Sequence, residues 1–259
     1  MRVLIGTSGY SYDEWKDEFY KNVSKTRWFD CYVDHFDTVE LNATFYRLQS
    51  EKTLRNWAES TPDDFVFTAK GHRYVTHTKR LRDADEMISR SRDNMAPLSE
   101  KLEVVVWQLP ANFHRDDDRL RRFCDVLEKR WFDVRHTLEF RHRSWFEDEV
   151  GLIVADHGHA VCLSDAPDWP MWRYTDGADF VYARLHGHTR LYASQYSPTH
   201  LDRWAREIHR WLDDRRDVYI YFDNTAESHA PRDARRLRER IDGIYGTSTH
   251  TQPRRSPTS

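Results

Sequence analysis

Eight short runs rich in β-branched and aromatic residues recur along this chain: RVLIG, DTVELN, FVFTAK, EVVVWQ, HTLEF, HAVCLS, FVYARLH and DVYIYF. Most are separated by stretches with helical spacing, such as TRWFDCYVDHF, SEKTLRNWAES, DDDRLRRFCDVLEKRW and SPTHLDRWAREIHRWLDD. LRDADEMISRSRDNMAPLSEKL reads as a further helix ended by Pro97, and PRDARRLRERI as a last helix that starts at a proline. Only the sixth run lacks a clear helix after it, since DAPDWPMWRYTDGAD offers at most a turn or two. Strands joined by long crossovers argue against a sandwich. Eight β/α units in about 240 residues match a (β/α)₈ TIM barrel, a parallel eight-stranded α/β barrel with an irregular connection after strand 6. An open doubly wound sheet is the competing fold.

Alternation within the strands favours the barrel. Side chains point to opposite faces in turn, so Val39 and Leu41 share one face and Thr38, Glu40 and Asn42 the other. In the same way Val181, Ala183 and Leu185 oppose Tyr182, Arg184 and His186, and Leu138 and Phe140 oppose Thr137, Glu139 and Arg141. The apolar faces can carry helices. An open sheet would bury both faces and strand the charges, whereas a barrel gathers them at its carboxyl-end mouth, where barrel enzymes keep their sites. Lys70, Gln108, Glu139, Arg141, Asp165, Arg184, His186 and Asn224 are the polar residues expected there.

The formal charge of -3 neither recruits nor repels nucleic acid in bulk, so an anion-binding role requires a local cluster. Cys31, Cys124 and Cys162 form an odd, widely spaced set without a metal-binding pair, which reads as reduced core thiols. The N-terminal apolar stretch is too short for a secretory leader, and no uncharged run reaches the roughly 18 residues of a membrane span. These features place the chain in the cytoplasm, with a single domain over residues 1–244. GTSTHTQPRRSPTS is polar and aperiodic, so residues 245–259 are expected to form a disordered tail.

Several blocks, GTSGYSYDEW, FDTVELNATFYRL, FTAKGHRYVTH, VVWQLPANF, LEFRHRSWF, ARLHG and YIYFDNT, resemble in order and spacing those of domain-of-unknown-function family 72, the YecE-like proteins. The match runs from about residue 3 to residue 241. The resemblance implies a TIM barrel with a polar pocket at the strand ends and brings no established activity. It maps the family's recurrent polar positions onto Tyr10, Glu40, Asn42, Thr44, Lys70, His77, Gln108, Glu139, Arg141, Trp145, Asp165, Arg184, His186 and Asn224. One departure is visible: the family usually carries Asn-Asn where this chain has Asp223-Asn224.

Three carboxylates, Glu40, Glu139 and Asp165, are expected to face inward near the cations Lys70, Arg141 and Arg184. Two carboxylates in different surroundings can divide the roles of general acid and base, while an arginine fork grips phosphate or carboxylate at two points. The same groups can instead form a structural ion network. His77 lies in the loop after the third strand and is a candidate proton donor near neutral pH. The loop aromatics Tyr10, Tyr12, Trp15, Phe45, Tyr46, Trp145, Tyr192 and Tyr196 can stack on a sugar or base, while Trp28, Trp57, Trp204 and Trp211 have core spacing. GTSG has neither a P-loop nor a dinucleotide spacing. No serine stands in a nucleophile elbow and the cysteines sit in helices or mid-strand, so covalent nucleophilic catalysis is disfavoured.

The leading expectation is therefore an acid/base enzyme, of hydrolase or isomerase type and without a cofactor, on a small polar, anionic or sugar-like substrate. Glu40, Lys70, Glu139 and His186 would do the chemistry, with Tyr10, Asn42, Thr44, His77, Gln108, Arg141, Trp145, Asp165, Arg184 and Asn224 binding the substrate. Two rivals stand beside it. One is a metal-dependent hydrolase, isomerase or apurinic-site endonuclease-like barrel in which Glu40, Glu139, Asp165 and His186 hold a divalent ion, although no compact metal motif is present. The other is a binding module for a phosphorylated or nucleotide-like ligand. Nucleic acid is not favoured as a partner, no membrane is expected, and a monomer or a weak homodimer fits equally.

Overall fold

A computed structural model describes residues 1–245. All eight strand runs form, and every pairing is parallel. One sheet has the order β1 (Val3–Thr7), β9 (Asp217–Phe222), β8 (Phe180–Leu185), β7 (Leu163–Asp165). The other runs β2 (Thr38–Leu41), β3 (Val66–Lys70), β4 (Leu102–Gln108), β5 (Arg135–Glu139), β6 (Ala160–Val161). The single eight-stranded sheet expected from the sequence is thus seen as parallel sheets of four and five strands. The sixth run accounts for the extra strand, because it pairs with β5 before Cys162 and with β8 after it. At the opposite seam Ser8 and Glu40 make a lone parallel bridge, and the Gly9 N–H donates to the Glu40 carbonyl at 2.8 Å.

Each sheet turns one face to the helices and the other to its partner sheet. Leu4, Val66, Val104, Val106, Tyr182 and Tyr221 belong to an inner cluster built from strand runs. Across it Thr38 Oγ1 and Tyr221 OH share a 2.6 Å hydrogen bond. The helix-covered face holds the larger core, which includes Ile5, Val39, Phe67, Trp107 and Leu138. This arrangement differs from an open doubly wound sheet, which would carry helices on both faces.

The helices are α1 (Trp28–Val33), the single turn α2 (Ala43–Tyr46), α3 (Glu51–Glu59), α4 (Asp85–Met95), α5 (Asp117–Arg130), α6 (Asp148–Asp156), α7 (Pro198–Asp213) and α8 (His229–Tyr245). Local chemistry sets their ends. Ser197 caps α7 by accepting from the His200 N–H, Pro198 fills its first position, and Leu201, Trp204, Ala205, Ile208 and Trp211 form its buried stripe. α4 stops at Met95, ahead of a short turn holding Pro97. Trp28 and Trp57 pack in the core as their spacing suggests.

α6 is the helix expected after the fifth run. Val150, Gly151, Ile153 and Val154 form its buried stripe, and Asp148, Glu149 and Asp156 lie on the exposed side. Its partner is Tyr174 of the irregular connection, whose ring lies so close to Gly151 that no side chain fits between them. Tyr32 of α1 binds the Thr7 N–H, Thr7 Oγ1 and the Thr38 carbonyl, which pins that helix across β1 and β2.

The three cysteines are free, Cys124 and Cys162 buried and Cys31 half-buried. Among the described residues no helix is long and apolar enough to cross a membrane. The tail expected from residue 246 onward lies outside the described residues, while Tyr245, assigned to it from the sequence, ends α8.

A tight strand seam gives a direct test. A methyl group on Gly6 would overlap the Thr38 carbonyl oxygen, a backbone atom that cannot swing away. Gly6→Ala should therefore destabilise the protein by about 1–3 kcal/mol in urea unfolding, as overpacking does. Unchanged stability would show that β1 and β2 are not pressed together there.

Candidate functional site

Strand alternation brings Ser8, Glu40, Asn42, Lys70, Gln108, Glu139, Arg141, Ser164, Arg184, His186 and Asp223 to the inner side at the carboxyl ends. Arg184 is the hub. Its side chain is 1% exposed, and the carboxylates of Glu40 and Glu139 around it are 0% exposed. Nε donates to both Glu40 oxygens at 3.1 Å and Nη1 to Glu139 Oε2 at 2.7 Å. Nη2 reaches Glu40 Oε1 at 2.9 Å, Ser8 Oγ at 2.9 Å and Asp223 Oδ2 at 3.0 Å. All three nitrogens of the guanidinium are engaged by protein groups, which ties Arg184 into an ion network.

Glu40 is likewise enclosed. Ser8 Oγ and Tyr182 OH donate to it, the latter at 2.6 Å, and Tyr182 in turn bonds Thr68 Oγ1 at 3.0 Å. The Tyr182 hydroxyl is pushed well above its ordinary range by burial and by the Glu40 charge, so it stays a donor. Glu139 receives Arg141 Nε at 2.9 Å and Ser164 Oγ at 3.1 Å, with His186 Nε2 at 3.1 Å from the same oxygen. Burial pushes Glu139 upward, but Arg141, Arg184 and His186 together outweigh it and hold the carboxyl well below the usual range. A carboxylate so fixed in its ionised form cannot act as a general acid near neutral pH.

His186 is wholly buried, with Trp169 and Tyr192 edge-on at 5.6 Å. Its Nδ1 stands 2.9 Å from Asp223 Oδ2, a close approach outside hydrogen-bond angles. Burial raises Asp223, and Arg184, His186 and Lys70 overcome that to hold it below its ordinary value.

Above this floor lie groups with access to solvent. Lys70 is partly exposed, its Nζ 4.2 Å from the centroid of the Phe45 ring, and it has no ion pair among the described residues. Burial, then the neighbouring Arg184 and Arg141 charges, lower it to about 8. Arg141 stacks over Trp169 at 4.5 Å and donates from Nη1 to Tyr192 OH at 3.3 Å. Asn42 Nδ2 donates to Ser8 Oγ at 2.8 Å, but its buried Oδ1 has no partner. Asn42 also lines a cavity of about 210 Å³ beside Gly9, Tyr12, Leu41 and Trp57.

Other expected site residues take different places. Asp165 faces away from the interior, toward His188 Nδ1 at 3.2 Å and Trp204 Nε1 at 3.3 Å, and Ser164 holds the inward position. Asn224 also points outward, to Ser194 O and Asp233, while its neighbour Asp223 faces in. Trp145 is fully buried with its indole N–H on the Phe113 carbonyl, and Thr44 ties α2 to the Leu41 and Lys70 carbonyls. Tyr10 packs against Phe29 and accepts from Trp57, and Gln108 binds the Leu109 carbonyl. His77 packs on Phe45 at 5.0 Å, and burial followed by Lys70 and nearby arginines lowers it to about 4, so it is a neutral imidazole rather than a proton donor at neutral pH.

The donor set named for a metal does not converge. Arg184 sits between Glu40 and Glu139, and Asp165 lies on the other face. Among the described residues no group of three or more such donors is arranged to hold an ion.

Asp223, Ser164 and Trp169 were missed. Asp223 follows Tyr219 and Tyr221 in the inner phase of its strand, a signal present in the sequence, whereas Trp169 comes from an aperiodic connection with no such signal.

A family model described as "Protein of unknown function DUF72" matches residues 4–257. The UPF0759 protein YunF of Bacillus subtilis (strain 168) is 25% identical, covering 94% of this chain and 96% of YunF. The UPF0759 protein YecE of Escherichia coli (strain K12) is 29% identical over 61% of this chain and 57% of YecE. A DUF72 crystal structure from Thermotoga maritima MSB8 aligns with a TM-score of 0.83 at 26% identity, covering 93% of this chain and all (100%) of that one. One from Enterococcus faecalis V583 aligns with a TM-score of 0.83 at 16% identity over 99% of this chain and 100% of its own, a likeness of fold. With the blocks above and a family match over nearly its whole length, the chain belongs to the DUF72 family of proteins of unknown function.

Proposed function

We infer that this protein is an acid/base enzyme acting on a small anionic or sugar-like substrate at the carboxyl ends of its strands. In this reading the two sheets are the halves of one (β/α)₈ barrel, closed at the Ser8–Glu40 bridge and through Cys162. The supporting observation is Lys70, an inner-face cation without a carboxylate partner among the described residues, lowered to about 8 by burial and by Arg184 and Arg141. An amine that titrates near the working pH transfers protons efficiently in either direction. Arg141 supplies the anion contact, with Tyr192 and Trp169 beside it. Glu40, Glu139, Asp223, Arg184 and His186 are positioning residues that hold Arg141 and set the field at Lys70.

Calorimetric titration with inorganic phosphate, sugar phosphates and sugar acids, followed by turnover assays on whichever bind, tests this. Arg141→Gln should weaken binding about 10- to 100-fold, the worth of one charge-assisted hydrogen bond. Lys70→Met should abolish turnover of a ligand that it still binds. Binding indifferent to Arg141, or turnover that survives Lys70→Met, would refute the assignment.

A further inference from the structure

The geometry points to Lys70 as a covalent nucleophile that forms an imine with a small carbonyl compound bearing an acid group, of the 2-oxo acid class. The inference rests on the mouth being a small-anion site and narrows its substrate. Among the inner cations Arg184 meets Glu40, Glu139 and Asp223, and Arg141 meets Glu139, but no carboxylate lies within ion-pair distance of Lys70 among the described residues. Its amine instead rests on the Phe45 ring at 4.2 Å, an apolar seat that neither neutralises nor hydrates it. Burial, with the guanidiniums of Arg184 and Arg141, disfavours its charged form and outweighs the pull of Glu139 and Asp223. A desolvated lysine beside other cations is the standard way to present a neutral amine to a carbonyl. With its value lowered to about 8, roughly a tenth of the amine is free base at pH 7.

Arg141 completes the arrangement. Its Nε binds Glu139 and its Nη1 binds Tyr192, which leaves Nη2 without a hydrogen-bond partner among the described residues. Arg141 follows β5 and Lys70 ends β3, the two strands flanking β4, and the charge of Arg141 is felt at Lys70. His77 stands edge-on to the same Phe45 ring and stays a neutral imidazole, so it adds no charge beside the amine.

The step balances without an oxidant or reductant. The Lys70 nitrogen lone pair attacks the carbonyl carbon, and a C–N bond forms as the C=O π bond breaks. A proton passes from nitrogen to oxygen to give a carbinolamine. The hydroxyl then leaves with one proton from solvent as water, and the product is a protonated imine.

The test treats the full chain with pyruvate or glyoxylate and sodium cyanoborohydride, which donates hydride to an imine and fixes it as a secondary amine. Intact mass and peptide mapping then locate the adduct. We expect one equivalent on the peptide containing Lys70, at least about tenfold less labelling in Lys70→Met, and about tenfold slower labelling in Arg141→Gln, since the charge-assisted contact is lost. Acetone, which lacks the acid group, should label poorly. Adducts spread over Lys16, Lys52 and Lys129, or labelling unchanged in Lys70→Met, would overturn the imine. Calorimetry with pyruvate and no reductant separates this proposal from the broader one. Binding that needs Arg141 but gives no adduct refutes the imine and leaves the acid/base site standing. Absence of pyruvate binding and adduct beside Arg141-dependent binding of phosphate or a sugar acid refutes the imine alone, and absence of binding by every one of these ligands refutes both.

Discussion

Replacing Arg184 with Met should cost about 3–5 kcal/mol of stability, because it leaves buried carboxylates without their counter-charge. In a protein of this size that is a fall in Tm of roughly 10 °C. Glu40 and Glu139 are fully buried and Asp223 nearly so, and each accepts a hydrogen bond from the same guanidinium. Arg184→Lys should lose less, since it keeps the charge but cannot span three partners with one planar fork. The pH dependence gives a second readout. Glu139 and Asp223 have folded values held below their unfolded ones. In the native protein their contribution is therefore fully present above the unfolded values of roughly 4, and is lost as pH falls through the lower folded values. Without Arg184 the sign reverses: burial then favours the protonated acids, so the variant should regain stability between pH 7 and pH 5. Urea unfolding at those two pH values checks both points. A variant as stable as the parent, or one that weakens on mild acidification, would show that the cluster is not held by Arg184.

Lys70→Met should have the opposite effect on stability while removing function. In the unfolded chain a lysine keeps its proton up to about pH 10.4, whereas Lys70 in the fold gives it up at about 8. Between those values the unfolded chain binds the extra proton, so stability rises with pH across the window and the cost of holding the cation is fully present below about pH 8. Removing the amine should therefore raise stability at pH 7 by about 1–2 kcal/mol, a figure discounted for the partial exposure of the side chain. The gain should shrink toward pH 10. Such a trade, stability gained as activity is lost, is expected of a group placed for chemistry rather than for the fold. Urea melts at pH 7 and 9.5, run beside a turnover or trapping assay, decide it. A variant less stable than the parent at pH 7, or a difference independent of pH, would return Lys70 to an ordinary structural role.

Much of the site was legible because strand alternation is local. In FVYARLH the same period that buries Val181, Ala183 and Leu185 under the helices sends Tyr182, Arg184 and His186 inward, and the structure follows it. The reading failed where both phases of a strand carry polar residues. In CLSDA either Ser164 or Asp165 could face in, and in FDN either Asp223 or Asn224; a one-residue change of phase exchanges the faces. Phase is set by pairing with β8, where Leu163 lies opposite Ala183 and Ser164 opposite Arg184, so the answer depends on a neighbouring strand.

The sequence by itself determined the alternation of strand and helix, the polar inner faces and the family, because these depend on residue type at short spacing. Only the tertiary structure decided which charges are structural and which are available. Glu40 and Arg184 are 144 residues apart and Glu139 and Arg184 are 45 apart, so no local pattern records that they neutralise one another. Lys70 has the same residue type and inner phase as a paired cation would, and its lack of a partner among the described residues is a property of the space around it. The depressed affinity of that amine for its proton follows from burial and from two arginines delivered by other strands, which is why it could be placed from the sequence but not assigned its chemistry.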